Sequence, residues 1–139
     1  MTKEEELAQQ LNGFNNGLPK TLGINVLTAS PDEITAELEV TEALCTIPAI
    51  LHGGAHMAFA DNLGALATVI NLPPGATTTT LESKTNFLGA IPVGEKAYGT
   101  TTCVHKGRTT QVWRTEIKRA DGKLCSVVTQ TQLVMQGKA

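Results

Sequence analysis

The chain has 139 residues, enough for one domain with a real core; 41% are apolar and 17% charged, which excludes intrinsic disorder. Eleven basic and 13 acidic side chains leave a net charge of −2, so no whole-chain positive field draws it to nucleic acid, and 4% aromatics leave few platforms for stacking bases. Thr, Val and Ile number 20, 9 and 7, about a quarter of the chain, a bias toward strands.

Thr2 and Glu5 have capping-box spacing, and Leu7, Ala8 and Leu11 follow at helical intervals. They predict a helix from Thr2 to Leu11, stopped by Asn12–Gly13. Asn15-Asn16-Gly17-Leu18-Pro19 is turn chemistry. Ile24 to Ala29 reads as a strand. After Pro31, Ile34, Ala36, Leu38 and Val40 alternate with Glu33, Thr35, Glu37 and Glu39, a strand with one wet face and hairpin partner to the first. Leu51 to Ile70 is apolar on nearly every side and predicts a long helix buried on every side. His52, His56, Asp61 and Asn62 within it, and Pro73–Pro74 behind it, argue for a core helix over a membrane span.

Four further strands are expected: Thr77–Asn86, Lys96–Lys106, Thr109–Arg119 and Leu124–Met135. Gly107–Arg108 turns between the second and third, and Ala120-Asp121-Gly122-Lys123 between the last two. No repeat or linker interrupts them, so one domain over 1–139 is expected, with 1–17 as an N-terminal helix and turn. Six strands need an apolar partner, and the long helix is the only large one. The expected fold is α+β, a six-stranded antiparallel sheet wrapped around one central helix. Its outer edges would stay exposed and could pair with a second copy.

Charge is uneven. Residues 1–90 carry 3 basic and 10 acidic side chains, whereas 91–139 carry 8 and 3. Between Glu42 and Glu82 the only Asp, Glu, Lys or Arg is Asp61. Cys45, Cys103 and Cys125 form no CxxC pair and the N-terminus is acidic, so reduced thiols and a cytoplasmic location are expected.

His52-Gly53-Gly54 stands at the start of the long helix. Its first N–H groups lack helical partners and suit a carbonyl oxygen or an anion; the glycines also suit plain tight packing. Asp61, nine residues on, is half a turn away after whole turns, so His52 and Asp61 point to opposite sides. One chain does not readily bring both to one small substrate; two chains can. A carboxylate in an apolar helix with no nearby Lys or Arg is a candidate catalytic group, or else a buried acid bonded to backbone. His52 and His56 have zinc-compatible spacing but lack a third partner, so no metal is expected. No Gly-x-Ser-x-Gly context surrounds Ser30, Ser83 or Ser126. His105-Lys106-Gly107-Arg108 is a basic turn, either a solvated hairpin or a phosphate contact through Arg108.

Leu51-His52-Gly53-Gly54-Ala55, Ala60-Asp61, Thr85-Asn86-Phe87-Leu88, Val104-His105-Lys106-Gly107-Arg108 and Asp121-Gly122-Lys123-Leu124 appear in an order that resembles the hotdog-fold acyl-CoA thioesterases of the phenylacetic-acid-degradation type, over about residues 20–135. The resemblance implies thioester hydrolysis without a cofactor or metal. It implies Asp61 as nucleophile or general base, the Gly53 N–H on the carbonyl oxygen, and His52 shaping the site. Thr46, Gly54, Asn62 and Arg108 would contact substrate, Arg108 at the nucleotide end of CoA. It further implies edge-to-edge homodimers that pair into homotetramers, with sites shared between subunits. Thr46 stands where many members carry Asn or Gln, and Ala65 where some carry Ser or Thr. Those two positions keep a non-catalytic acyl-CoA binder open as the alternative; a hotdog dehydratase ranks third.

Overall fold

The computed structural model describes residues 1–137. Thr2 caps α1 (Lys3–Gly13) reciprocally: its hydroxyl accepts from the Glu5 N–H at 3.1 Å, and the Glu5 carboxylate accepts from the Thr2 N–H at 3.0 Å. Leu18–Pro19, expected as a turn, opens a short helix α2 (Leu18–Leu22), with Pro in the first turn where its missing N–H costs nothing.

β1 (Asn25–Ala29) and β2 (Glu33–Glu39) form the expected hairpin. Ile34, Ala36 and Leu38 are buried, and Glu33 and Glu39 are exposed. A 3-10 turn (Glu42–Leu44) leads into a small hairpin of β3 (Cys45–Thr46) and β4 (Ile50–Leu51), which the sequence reading missed. α3 (Gly53–Ile70) therefore begins two residues later than expected, because Leu51 is spent in β4. β5 (Thr77–Phe87), β6 (Lys96–Lys106), β7 (Thr110–Lys118) and β8 (Leu124–Met135) lie within about a residue of their expected ends. The main sheet has six antiparallel strands in the order β1-β2-β6-β7-β8-β5.

α3 lies across β2, β5, β6, β7 and β8. Phe59 and Leu63 are fully buried beneath it and sit on Gly99 of β6. A Cβ there would come within 2.8 Å of Leu63 Cδ1 and 3.1 Å of Phe59 Cζ, so the absent side chain sets how closely helix and sheet approach. The start of α3 lies at the Phe87 and Ser126 end of the sheet; its far end is tied by Asn71 Nδ2, donating to the Pro31 carbonyl at 2.8 Å.

Two expectations need correction. The helix is not buried on every side: Gly54, Met57 and Val69 are exposed, and Asp61, Asn62, Ala65 and Leu66 are half-buried. One curved sheet covers one side of a helix, so the other apolar face stays open in the single chain. Nor are both sheet edges exposed. Asn12 covers β1 as another strand would, accepting from the Val26 N–H at 2.8 Å and donating to the Val26 carbonyl at 2.8 Å. Asn15 Nδ2 adds a bond to the Ile24 carbonyl at 2.8 Å. The open edge is β5. Among the described residues no helix is long and apolar enough to cross a membrane.

Gly99→Ala should lower stability by about 1–3 kcal/mol through overpacking against Leu63 and Phe59. Denaturant unfolding of the two proteins measures it. An unchanged midpoint would show that the seat can yield.

Candidate active site

The HGG segment forms as expected. His52 is the N-cap of α3, and its Nδ1 accepts from the Gly54 N–H at 2.8 Å. That bond leaves the proton of the neutral ring on Nε2. It also spends the Gly54 N–H, whereas the Gly53 N–H has no protein partner among the described residues. Gly53 lies against Phe87: a Cβ would meet the ring at 3.2 Å. Phe87, 54% exposed, therefore lies beside the residue that carries the free donor.

In front of His52 lies an open cleft of about 370 Å³, lined by Glu42, Cys45, Thr46, Ile47, Ala49 and His52. Its floor is the β3–β4 hairpin. Ala49 has φ of 72°, unusual for a side chain with a Cβ. It is held there by its N–H on the Thr46 carbonyl at 2.7 Å and by the Val93 N–H on its own carbonyl at 3.0 Å. Thr46 is exposed to this cleft, where its hydroxyl can contact a ligand.

Asp61 does not line the cleft. It lies eight residues along α3 from Gly53, about 12 Å. His52, as the extended N-cap, lies outside the helix, so the half-turn count does not fix its side chain; Asp61 faces β5 and β8. Its Oδ1 accepts from the Thr80 hydroxyl at 2.7 Å and from Gln130 Nε2 at 3.4 Å. Among the described residues it makes no ion pair, and Oδ2 has no protein donor.

The other expected contacts scatter. Asn62 turns its Nδ2 back onto the Ala58 carbonyl at 2.8 Å. Arg108 is exposed in the β6–β7 turn, beside Gln136, whose Nε2 donates to its carbonyl at 3.2 Å. That turn lies at the Thr77 end of the sheet, and ten residues of β5 separate it from Phe87, about 30 Å. Within one chain Arg108 therefore does not approach Gly53. Lys106 of the same turn is occupied, donating to Asp32 Oδ1 at 3.1 Å and the Pro31 carbonyl at 3.0 Å. Among the described residues no group of three or more His, Cys, Asp or Glu forms a metal cage, and the three cysteines are unpaired.

Four residues near the site escaped the sequence reading. Thr80 of β5 and Gln130 of β8 touch Asp61; Gln132 Nε2 donates to Thr80 Oγ1 at 2.7 Å. Ser126 Oγ lies 2.8 Å from His56 Nδ1. The signal was available. Ser126, Val128, Gln130, Gln132 and Val134 share one parity of a strand, so three polar residues interrupt an inward stripe. All three are fully buried.

His56 is buried at 3% exposure and meets Phe87 edge-on at 5.9 Å between centroids. Burial lowers its pKa from 6.5 to about 4. Its place is structural, steadying the ring that covers Gly53.

A six-stranded antiparallel sheet around one long helix is the hotdog fold. Comparison with known proteins gives the family: residues 49–126, over half the chain, match the thioesterase superfamily, and the chain belongs to it. It is similar to the thioesterase HI1161 of Haemophilus influenzae, at 30% identity and a TM-score of 0.84, covering 98% of this chain and 92% of that one. The 1,4-dihydroxy-2-naphthoyl-CoA hydrolase of Listeria monocytogenes is 28% identical over 111 residues, 80% of this chain and 89% of its own. The PaaI protein from the phenylacetic acid degradation operon of E. coli shares the fold, with a TM-score of 0.85 over 97% of this chain and 96% of its own at 20% identity. The expected fold and enzyme class, a hotdog thioesterase, therefore stand.

The His56 shift has a sign. Below pH 6.5 the unfolded chain takes up a proton at this residue that the native chain does not, so stability falls as pH drops toward about 4. The loss from this group reaches up to about 3 kcal/mol. His56→Asn should remove it, making stability between pH 6.5 and 4 less steep in denaturant titrations; equal slopes would refute the assignment.

Proposed function

We propose that the protein hydrolyses acyl-CoA thioesters to a free acid and CoA, at sites shared between two subunits. The observation that carries this reading is Asp61: a carboxylate without a cation partner among the described residues, held at Oδ1 by neutral donors and beside the open β5 edge. Asp61 attacks the thioester carbon or takes a proton from the water that does. The carbonyl oxygen gains charge and accepts from the Gly53 N–H. The carbon–sulfur bond then breaks. Where Asp61 is the base, the departing thiolate takes the proton that Asp61 removed from water. Where Asp61 is the nucleophile, the thiolate takes a proton from solvent, and a water then hydrolyses the acyl–Asp61 anhydride to the free acid.

Geometry favours a two-chain site. β1 is covered by Asn12, which leaves β5 as the edge for a second copy. A two-fold, antiparallel pairing of β5 centred near Ser83 and Lys84 would set Thr80 of one chain opposite Phe87 of the partner subunit. Thr80 carries Asp61, and Phe87 covers Gly53, so the two halves of the site would meet. The same pairing brings the Thr77 end, with Arg108, toward the partner's helix start, where its free guanidinium could meet a CoA phosphate. His52 and Thr46 would line the cleft beside the thioester, with the Gly54 N–H spent on His52 and Asn62 on the helix face nearby. Pairing of such dimers into tetramers and a cytoplasmic location, which suits three unpaired cysteines, complete the proposal.

A non-catalytic acyl-CoA binder is the alternative, because Thr46 brings a short hydroxyl to the cleft in place of an amide. A panel of acyl-CoA esters, including an aromatic acyl group like that of the Listeria relative, distinguishes the two. Turnover by wild type, falling by roughly 10²–10⁴-fold in Asp61→Asn, supports the enzyme. Tight binding without turnover supports the alternative. Mixing Asp61→Asn with Gly53→Pro tests the shared site. Pro is tolerated at the first helical position and removes the N–H, and the exposed Phe87 ring can yield. If the site is shared, two inactive proteins recover about a quarter of wild-type activity, because half the dimers are mixed and one of their two sites is intact. No recovery places each site within one chain.

A further inference from the structure

Asp61 is the end of a chain of neutral donors that begins in the buried face of β8. Gln132 is fully buried, and its Nε2 donates to Thr80 Oγ1 at 2.7 Å; Thr80 Oγ1 lies 2.7 Å from Asp61 Oδ1. An ionised carboxylate only accepts, so the Thr80 proton must point at Asp61. Thr80 can give that proton away because its own oxygen is served by Gln132. Were the Gln132 amide reversed, the Thr80 hydroxyl would be drawn away and two acceptors would face each other at hydrogen-bond distance.

Gln130 completes the arrangement. It too is fully buried, and its Nε2 reaches both the Asp61 carbonyl and Oδ1 at 3.4 Å. Its Oε1 is buried without a partner among the described residues, a cost that Leu or Met in its place would not carry. Space is made for it by Gly64, where a Cβ would overlap the Gln130 side-chain amide. Two amides stand in the buried stripe of β8, one with an orphaned oxygen and a notch for it in α3. Gln130 directs its N–H to the Asp61 carboxylate, and Gln132 directs its own to the Thr80 hydroxyl that bonds that carboxylate.

We infer that Gln132, Thr80 and Gln130 are positioning residues for the reaction: they saturate Oδ1 of Asp61 and fix its rotamer, leaving Oδ2 as the oxygen that acts. This deepens the proposed function and rests on Asp61 being the acting carboxylate. None of the three needs to touch substrate. The task falls to neutral groups because Lys or Arg would neutralise the charge the reaction uses.

The test compares kcat and KM for the full chain carrying Thr80→Val, Thr80→Ser and Gln132→Leu. Thr80→Val should lower kcat by ~10- to 100-fold with KM within about twofold, and Thr80→Ser, which keeps the hydroxyl, should restore most of it. Gln132→Leu should lower kcat in the same sense though it is remote from the substrate. Wild-type kcat in Thr80→Val, or an equal loss in Thr80→Ser, would overturn the inference. A second measurement is independent of turnover. The Gln132 side-chain amide does not touch Asp61, so its NMR resonance should move in Asp61→Asn only through Thr80. A shift that disappears in the Thr80→Val background supports the chain of donors. No shift, or one that persists there, overturns it, whether or not Asp61 proves to be the acting carboxylate.

Discussion

A six-stranded sheet has one broad apolar face to bury, and this chain supplies a single long helix to cover it. Most of the structure follows from that shortage. The sheet must curl and the helix must come close, which is why Gly99 lies beneath Phe59 and Leu63 and why alanines 55, 60 and 67 line the buried face of α3. A sheet can wrap only one side of a helix. The opposite side, with Met57, Ala65, Leu66 and Val69, is left apolar and at least partly open. The edge beside it, β5, is open as well, while β1 is covered by Asn12. Asp61 lies where the covered and open faces of α3 meet, within reach of β5 and β8.

Periodicity carried most of the fold into view. The alternation Ile34, Ala36, Leu38, Val40 specifies a strand and its buried face, and the turn chemistry at Asp121–Gly122 fixes the start of β8. Elements held by context were not legible. β3 and β4 have two residues each, too few to show a period, and they exist because their backbone groups pair with each other and because the Leu51 N–H finds the Ile91 carbonyl at 2.9 Å. The coverage of β1 was hidden for a related reason: Asn12 reads as a helix stop, and that its amide would imitate a peptide group is a tertiary fact. The exposed face of α3 escaped because an apolar residue looks the same whether its partner lies in this chain or in another.

The candidate site was legible in its parts. An isolated Asp in a charge-free stretch and a His-Gly-Gly segment at the start of a long helix can be read from the sequence alone. What spacing does not carry is which donor is free. His52 caps α3 by taking the Gly54 N–H, so of the two glycines Gly53 keeps a donor to offer. The neighbours of Asp61 were also missed, although Gln130 and Gln132 stand on the same parity as Val128 and Val134. Polar residues on an inward stripe are easily passed over as tolerated exceptions. Buried amides are costly unless bonded, and the search for their partners leads directly to Asp61.

The way Asp61 is held bears on what it can do. A carboxylate in a low-dielectric setting needs donors, and a cation would satisfy it most strongly, at an attraction of about 4 kcal/mol for charges 4 Å apart near a protein surface. Such a partner would also offset the negative charge that the role of base or nucleophile proposed for Asp61 requires. Hydroxyl and amide donors fix orientation through individually modest bonds and leave the net charge in place. The sequence keeps Lys and Arg away from Asp61 on both sides of α3 and concentrates them after residue 90. The uneven charge and the neutral tether agree: the carboxylate is supported without being neutralised.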